Sequence, residues 1–335
     1  MHKIQLFPIV LLGLLLLILI GCDPMSPQAT PVAIIVTSDA TATPTLTPSL
    51  TPTFTLTPSI TPTPNFTPTP TAFPCEADGG EIIEFNQFRN AESDNENLRY
   101  HVYIPPCYSQ TQRRYPYVIL LHGLSYREQQ WTNIGVIEAL EQGIALGVLP
   151  PMILVMPYMG ILGTQNTFPP DSSYETFIME ALVPQIETDF CTYNNRDFRG
   201  IGGISRGGFW AYGIGFRHPD TFGIIGGHSA FFPESLLEVP AASNPLEIAE
   251  NSALLPNANL RLYLDNGASD SAASSQRAMS DRLTARGIPH TYIINTIGDH
   301  SEDYWSAQVS NYLEFYGQTW PRGHEQLPSC AEASP

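Results

Sequence analysis

From residue 81 onward, short apolar runs alternate with longer stretches of helical periodicity. Tyr117–Leu121 (Tyr-Val-Ile-Leu-Leu) and 152–156 (Met-Ile-Leu-Val-Met) are continuous apolar runs, as in strands buried on both faces of a parallel sheet. Residues 81–88 and 98–104 also read as strands, the second closed by Pro105-Pro106, which cannot continue a ladder. Further strands are predicted at 198–204, 224–225, 260–264 and Thr291–Asn295. Helices are predicted over 174–190, with a kink at Pro184, from 206 to about 218, over 271–286 and over 301–316. Strands alternating with helices imply an α/β fold, a mostly parallel central sheet with helices on both faces.

The first quarter of the chain breaks this pattern. After a basic start, residues 6–20 are almost unbroken apolar sequence, shorter than the ~20 residues a spanning helix needs. The run ends in Leu19-Ile20-Gly21-Cys22, which resembles the lipobox of bacterial lipoproteins. On that reading 1–21 is a signal peptide, and the Cys22 thiol carries the lipid, palmitate among its acyl chains. An uncleaved membrane anchor is the alternative, and either places the rest outside the cytoplasm. Residues 22–74 then form a linker of repeated Thr-Pro steps, with no charge between Asp39 and Glu76. Proline fixes φ and bars helix from the residue before it, so this tract builds no core and is expected to be a disordered, extended stalk. Residues 75–335, about 260, suit one α/β domain.

Charge alters the range of partners. With 32 acidic against 15 basic residues and a net charge of −17, the chain repels polyanions, so nucleic acid is not an expected partner. Besides Cys22 there are four cysteines, Cys75, Cys107, Cys191 and Cys330, an even set that in an exported chain suggests two disulfides. Three connectivities are open, of which Cys75–Cys107 with Cys191–Cys330 would tie down both ends. No cysteine stands at metal-ligand spacing from a histidine, so neither a metal nor another cofactor is expected.

The chemistry centres on Gly203-Ile204-Ser205-Arg206-Gly207, a G-x-S-x-G run at the end of a predicted strand and the start of a predicted helix. That is the setting of a nucleophile elbow, where a strained turn exposes the serine and small neighbours avoid clashes. Serine needs a base to take its proton, and in this architecture the acid and then the histidine follow it along the chain. His122, His228 and His300 fall just after strands, on the edge where active-site loops gather. The first two come too early in chain order, which leaves His300 as the base. For the acid, Asp270 on the loop after 260–264 is favoured over Asp265, which sits at the strand edge. Asp265 is expected to brace the turn, and Asp265→Asn to be mild. The oxyanion donors expected are the backbone N–H groups of Arg206 and Leu124, with His122 bracing the loop of Leu124. The Arg206 side chain is a candidate partner for an acidic substrate group, although an elbow side chain often points away from the site. Trp131, Tyr158, Phe168, Phe209 and Trp305 are candidates either for a substrate pocket or for the core.

The segments Leu121-His122-Gly123-Leu124 with Trp131, Gly202 to Phe209, Asp265 to Asp270, His300 with Tyr304-Trp305, and Val102-Tyr103-Ile104-Pro105-Pro106 together resemble the putative esterase family. That family includes esterase D, feruloyl esterases, enterochelin esterases and mycolyltransferases. The resemblance spans roughly residues 80–318 and implies an α/β-hydrolase fold with a Ser205–Asp270–His300 triad. Mycolyltransferase members have aspartate where this chain has His122, which weighs against a transferase. The expected activity is hydrolysis of a carboxylic ester, small or glycan-linked, on the outer face of the cell membrane. Acyl transfer to a surface glycan and a catalytically silent binding lipoprotein are the alternatives.

Overall fold

The computed structural model describes residues 73–86, 98–235 and 237–331. Residues 1–72, with the expected signal peptide, Cys22 and nearly all of the Thr/Pro linker, lie outside the described residues. Among the described residues, eight strands form one sheet in the order β1-β2-β4-β3-β5-β6-β7-β8. They are β1 (Glu81–Phe85), β2 (Tyr100–Ile104), β3 (Tyr117–Leu121), β4 (Ile153–Pro157), β5 (Arg199–Ile204), β6 (Ile224–His228), β7 (Arg261–Gly267) and β8 (Thr291–Asn295). β2 runs antiparallel to both β1 and β4, and the six strands from β4 to β8 are mutually parallel. The expected mostly parallel sheet is therefore present, with an antiparallel edge.

Among the described residues, six longer helical stretches cover it: α1 (Val136–Ala145), α2 (174–189), α3 (Arg206–Arg217), α4 (Pro245–Asn251), α5 (Ala273–Ala285) and α6 (Glu302–Gly317). Successive β3 side chains enter different cores, as a period of two requires. Tyr117, Ile119 and Leu121 join Trp210, Ile214 and Met279, whereas Val118 and Leu120 join Leu140, Tyr312 and Leu313. α1 buries Val136, Ile137, Leu140 and Ile144, one stripe at helical spacing. The helix expected over 174–190 runs on through Pro184, with Phe177–Leu182 wound as a π-helix between α-helical turns. Proline cannot donate to the carbonyl four residues back, and widening the turn before it accommodates that loss.

Disulfides Cys75–Cys107 and Cys191–Cys330 close both ends, with Cα–Cα separations of 5.1 and 5.8 Å. This is the connectivity favoured from the sequence. They enclose 32 and 139 residues, so chain entropy predicts a contribution of about 4 kcal/mol for the first and about 5 for the second. Urea denaturation should accordingly show a larger loss for the Cys191→Ser/Cys330→Ser pair than for Cys75→Ser/Cys107→Ser. Equal midpoints with and without reductant would contradict this ordering.

Candidate active site

The carboxyl ends of β3 through β8 point the same way, so the loops after them share one edge of the sheet. Ser205 sits there between β5 and α3 at φ 53° and ψ −113°. A left-handed φ on a non-glycine residue costs on the order of 1–3 kcal/mol, and something must hold it. The Ser205 N–H donates to His228 O (2.9 Å), while Ser205 O accepts from Phe209 and Phe231 N–H (3.2 and 3.3 Å). The flanking glycines explain the motif. A Cβ on Gly203 would lie 2.3 Å from the Gly207 carbonyl carbon, and one on Gly207 would lie 2.3 Å from Leu121 O. The second contact seats the start of α3 directly against the end of β3.

That junction sets the start of α3, with Arg206, beside the loop after β3. The Gly123 N–H is taken by the buried Gln130 Oε1 at 2.8 Å, and Trp131 Nε1–H holds Leu121 O at 3.2 Å. Leu124 follows, 54% exposed, and among the described residues neither its N–H nor that of Arg206 has a protein partner. His122 braces this loop as expected, its Nδ1 paired with Gly123 O (2.7 Å) and its Nε2 accepting the Met159 N–H (2.8 Å). Burial lowers its pKa to about 4, so the ring is neutral and keeps both bonds. The Arg206 side chain turns away from any substrate group. It donates to Gly163 O, Gln165 O and Asn166 Oδ1 and lies over the Phe209 ring, pinning the loop after β4.

His300, on the loop after β8, presents Nδ1 to Asp270 Oδ1 at 2.8 Å, and its ring packs edge-on against Trp305. Asp270 Oδ1 also accepts the Ala272 N–H (2.7 Å), and Oδ2 accepts the Ser229 hydroxyl (2.5 Å). Burial pushes this carboxyl up, but the hydrogen bonds from His300, Ser229 and Ala272 outweigh it and hold the pKa below the usual carboxylate value. The Ser205 hydroxyl and the His300 ring share this edge without being hydrogen-bonded to each other, a contact that commonly tightens only with substrate in place.

Asp265 departs from expectation. It is fully buried and accepts from His228 Nδ1 (2.8 Å), Tyr304 OH (2.6 Å) and Tyr312 OH (3.0 Å), with His228 Nε2 on Tyr316 OH at 2.9 Å. Strand register places it opposite His228, so it is the centre of a buried network rather than the brace of a turn. The aromatic candidates resolve in the same direction. Trp131, Phe168, Phe209 and Trp305 are buried, and Tyr158 stacks between His122 and Arg99. The exposed apolar side chains on this edge are others, Leu124, Ile161, Phe231 and Ile297, after β3, β4, β6 and β8 respectively. Sequence reading also missed Ser229 and Gln130, whose partners lie on other strands and loops.

The fold is that of the α/β-hydrolase type. The profile of the family described as Putative esterase matches residues 91–316, and the chain belongs to that family. It is 29% identical over 167 residues to an endo-1,4-beta-xylanase/feruloyl esterase of Xylanibacter ruminicola, covering 45% of this chain and 22% of the relative. An esterase of Mycobacterium tuberculosis is 25% identical over 236 residues, covering 57% of this chain and 50% of the relative. The chain thus spans half or less of the length of these curated relatives. A solved ferulic acid esterase superposes with a TM-score of 0.64 at 22% identity, over 72% of this chain and 98% of that one, a likeness of fold.

Proposed function

We propose that the protein hydrolyses a carboxylic ester through an acyl-enzyme on Ser205. The observation that carries this reading is Ser205 on its strained elbow, sharing one sheet edge with a His300–Asp270 pair bonded at 2.8 Å. Ser205 Oγ attacks the ester carbonyl as His300 Nε2 takes its proton, and Asp270 holds the Nδ1–H tautomer and steadies the imidazolium. The oxyanion is met by the N–H groups of Leu124 and Arg206, the latter at the start of α3. Collapse expels the alcohol with the proton from His300, and water, deprotonated by the same ring, releases the acid. The exposed Leu124, Ile161, Phe231 and Ile297 favour a bulky apolar or aromatic acyl group over acetyl. Two of the relatives named above carry feruloyl or ferulic acid esterase in their names, which supports the same choice. The two disulfides fit an oxidising compartment, in keeping with a lipid-anchored enzyme on the outer face of the membrane.

A fluorophosphonate probe should label Ser205 and leave Ser205→Ala unlabelled, and turnover should favour feruloyl or long-chain esters over acetyl ones. Labelling at another serine would overturn the assignment. For the anchor, Cys22→Ala should move the protein out of the membrane fraction, and unchanged retention with an uncleaved N-terminus would favour the simple anchor.

A further inference from the structure

β6 ends in Gly-Gly-His and hands over to Ser229, whose φ of 48° is left-handed. Glycine takes that conformation freely, whereas a residue with a Cβ is strained in it. Two glycines stand just upstream at 226 and 227, yet the strained position carries a side chain. Its hydroxyl and its backbone N–H are both engaged. Ser229 is fully buried, its hydroxyl donates to Asp270 Oδ2 at 2.5 Å, and its oxygen accepts the Trp305 Nε1–H at 2.9 Å. Its backbone N–H is fixed by Asp265 O at 2.8 Å. The two Asp270 oxygens are therefore divided: Oδ1 serves His300 and the Ala272 N–H, and Oδ2 is occupied by Ser229. Trp305 closes the chain, because its ring also packs against His300.

We propose that Ser229 is a positioning residue for ester hydrolysis, holding the Asp270 carboxylate in the orientation that meets His300. The proposal rests on the triad reading given above, and Ser229 acts through Asp270 without touching substrate. Two consequences follow from elementary electrostatics. Without the hydroxyl, Oδ2 is free to rotate towards His300, so the imidazole is less well oriented. A carboxylate stripped of one donor is also more basic and holds the imidazolium more tightly. The base then stays protonated to higher pH, and activity is lost at the acidic end first.

The test is the pH dependence of kcat/KM on a p-nitrophenyl ester for Ser229→Ala and Ser229→Gly, each alone and combined with Asp270→Asn. Ser205→Ala and fluorophosphonate labelling of Ser205 serve as controls. The acidic limb should move up by roughly one pH unit and kcat fall roughly tenfold, the share of one charge-assisted hydrogen bond, with KM little changed. In the Asp270→Asn background the added effect of removing the hydroxyl should shrink to less than about twofold, because the two residues act as one unit. Both variants leave Trp305 without its acceptor, but Ser229→Gly also relieves the left-handed backbone, which offsets part of that cost and keeps a folded enzyme. An unmoved pH profile in folded Ser229→Gly, or a full added loss in the Asp270→Asn background, would overturn the proposal alone. Activity surviving Ser205→Ala would overturn the triad reading, and this proposal with it.

Discussion

Ser205→Ala and His300→Ala should each lower kcat for a p-nitrophenyl ester by on the order of 10⁵- to 10⁶-fold, and the double variant should be little worse than either. The non-additivity is the informative part. A nucleophile without its base, or a base without its nucleophile, leaves only the oxyanion donors and substrate binding, and removing the second partner takes nothing further away. Stability should stay within about 0.5 kcal/mol of wild type for Ser205→Ala, since the elbow is held by backbone bonds to His228 O, Phe209 and Phe231. Alanine occupies the same strained φ, so the fold neither gains nor loses there. Single-turnover kinetics with thermal melts on the same preparations separate lost chemistry from lost structure. A fully active Ser205→Ala would instead place the chemistry at a differently built site.

What the sequence disclosed follows the distance over which each feature is encoded. The limits of β3 and β8 could be read directly because an apolar run bounded by turns is a local signal. The elbow was equally plain, being five consecutive residues whose glycines are required by contacts with Gly207 and Leu121 backbone. The antiparallel setting of β2 against β4 could not be read, because strand direction is decided by the connection and not by the strand. The same reason hid Ser229. A serine after a strand is commonplace, and its role appears only when register carries β6 beside β7 and α6 brings Trp305 to its hydroxyl. Tyr316 illustrates a signal that was present but unread. Its hydroxyl would lie 1.6 and 2.1 Å from a Cβ at Gly202 and Gly226, so glycines in the middle of central strands were the trace of a buried phenol. α1 was missed although its stripe was visible, and only the structure supplied the surface that it covers.

The largest stability effect of a single charge-removing substitution should fall on Asp265, and it should be the mirror image of the effect at Asp270. Asp265→Asn keeps one acceptor for His228 but turns an amide N–H₂ towards two phenols that now donate. The Tyr304 oxygen already accepts from Asn295 Nδ2, which crowds any reversal there. Burial and the Asp265 carboxylate push both phenols well above their usual pKa, so across the working pH range they remain neutral donors in need of an acceptor. Breaking a buried, hydrogen-bonded charge in this way costs about 3 kcal/mol, or roughly 6–12 °C in Tm for a domain of this size. Asp270 is also buried but bonds to a separate set, and in Asp270→Asn the Ser229 hydroxyl can turn to accept from the amide, so its melting temperature should move by only a few degrees. Its kcat should fall by on the order of 10³- to 10⁴-fold, because an amide can hold His300 in the wrong tautomer. Measuring Tm and kcat on both variants therefore assigns the two carboxylates. A stable but inactive Asp265→Asn beside an active Asp270→Asn would transfer the acid's role from the loop to the strand, and the His300–Asp270 bond would have to be read as structural.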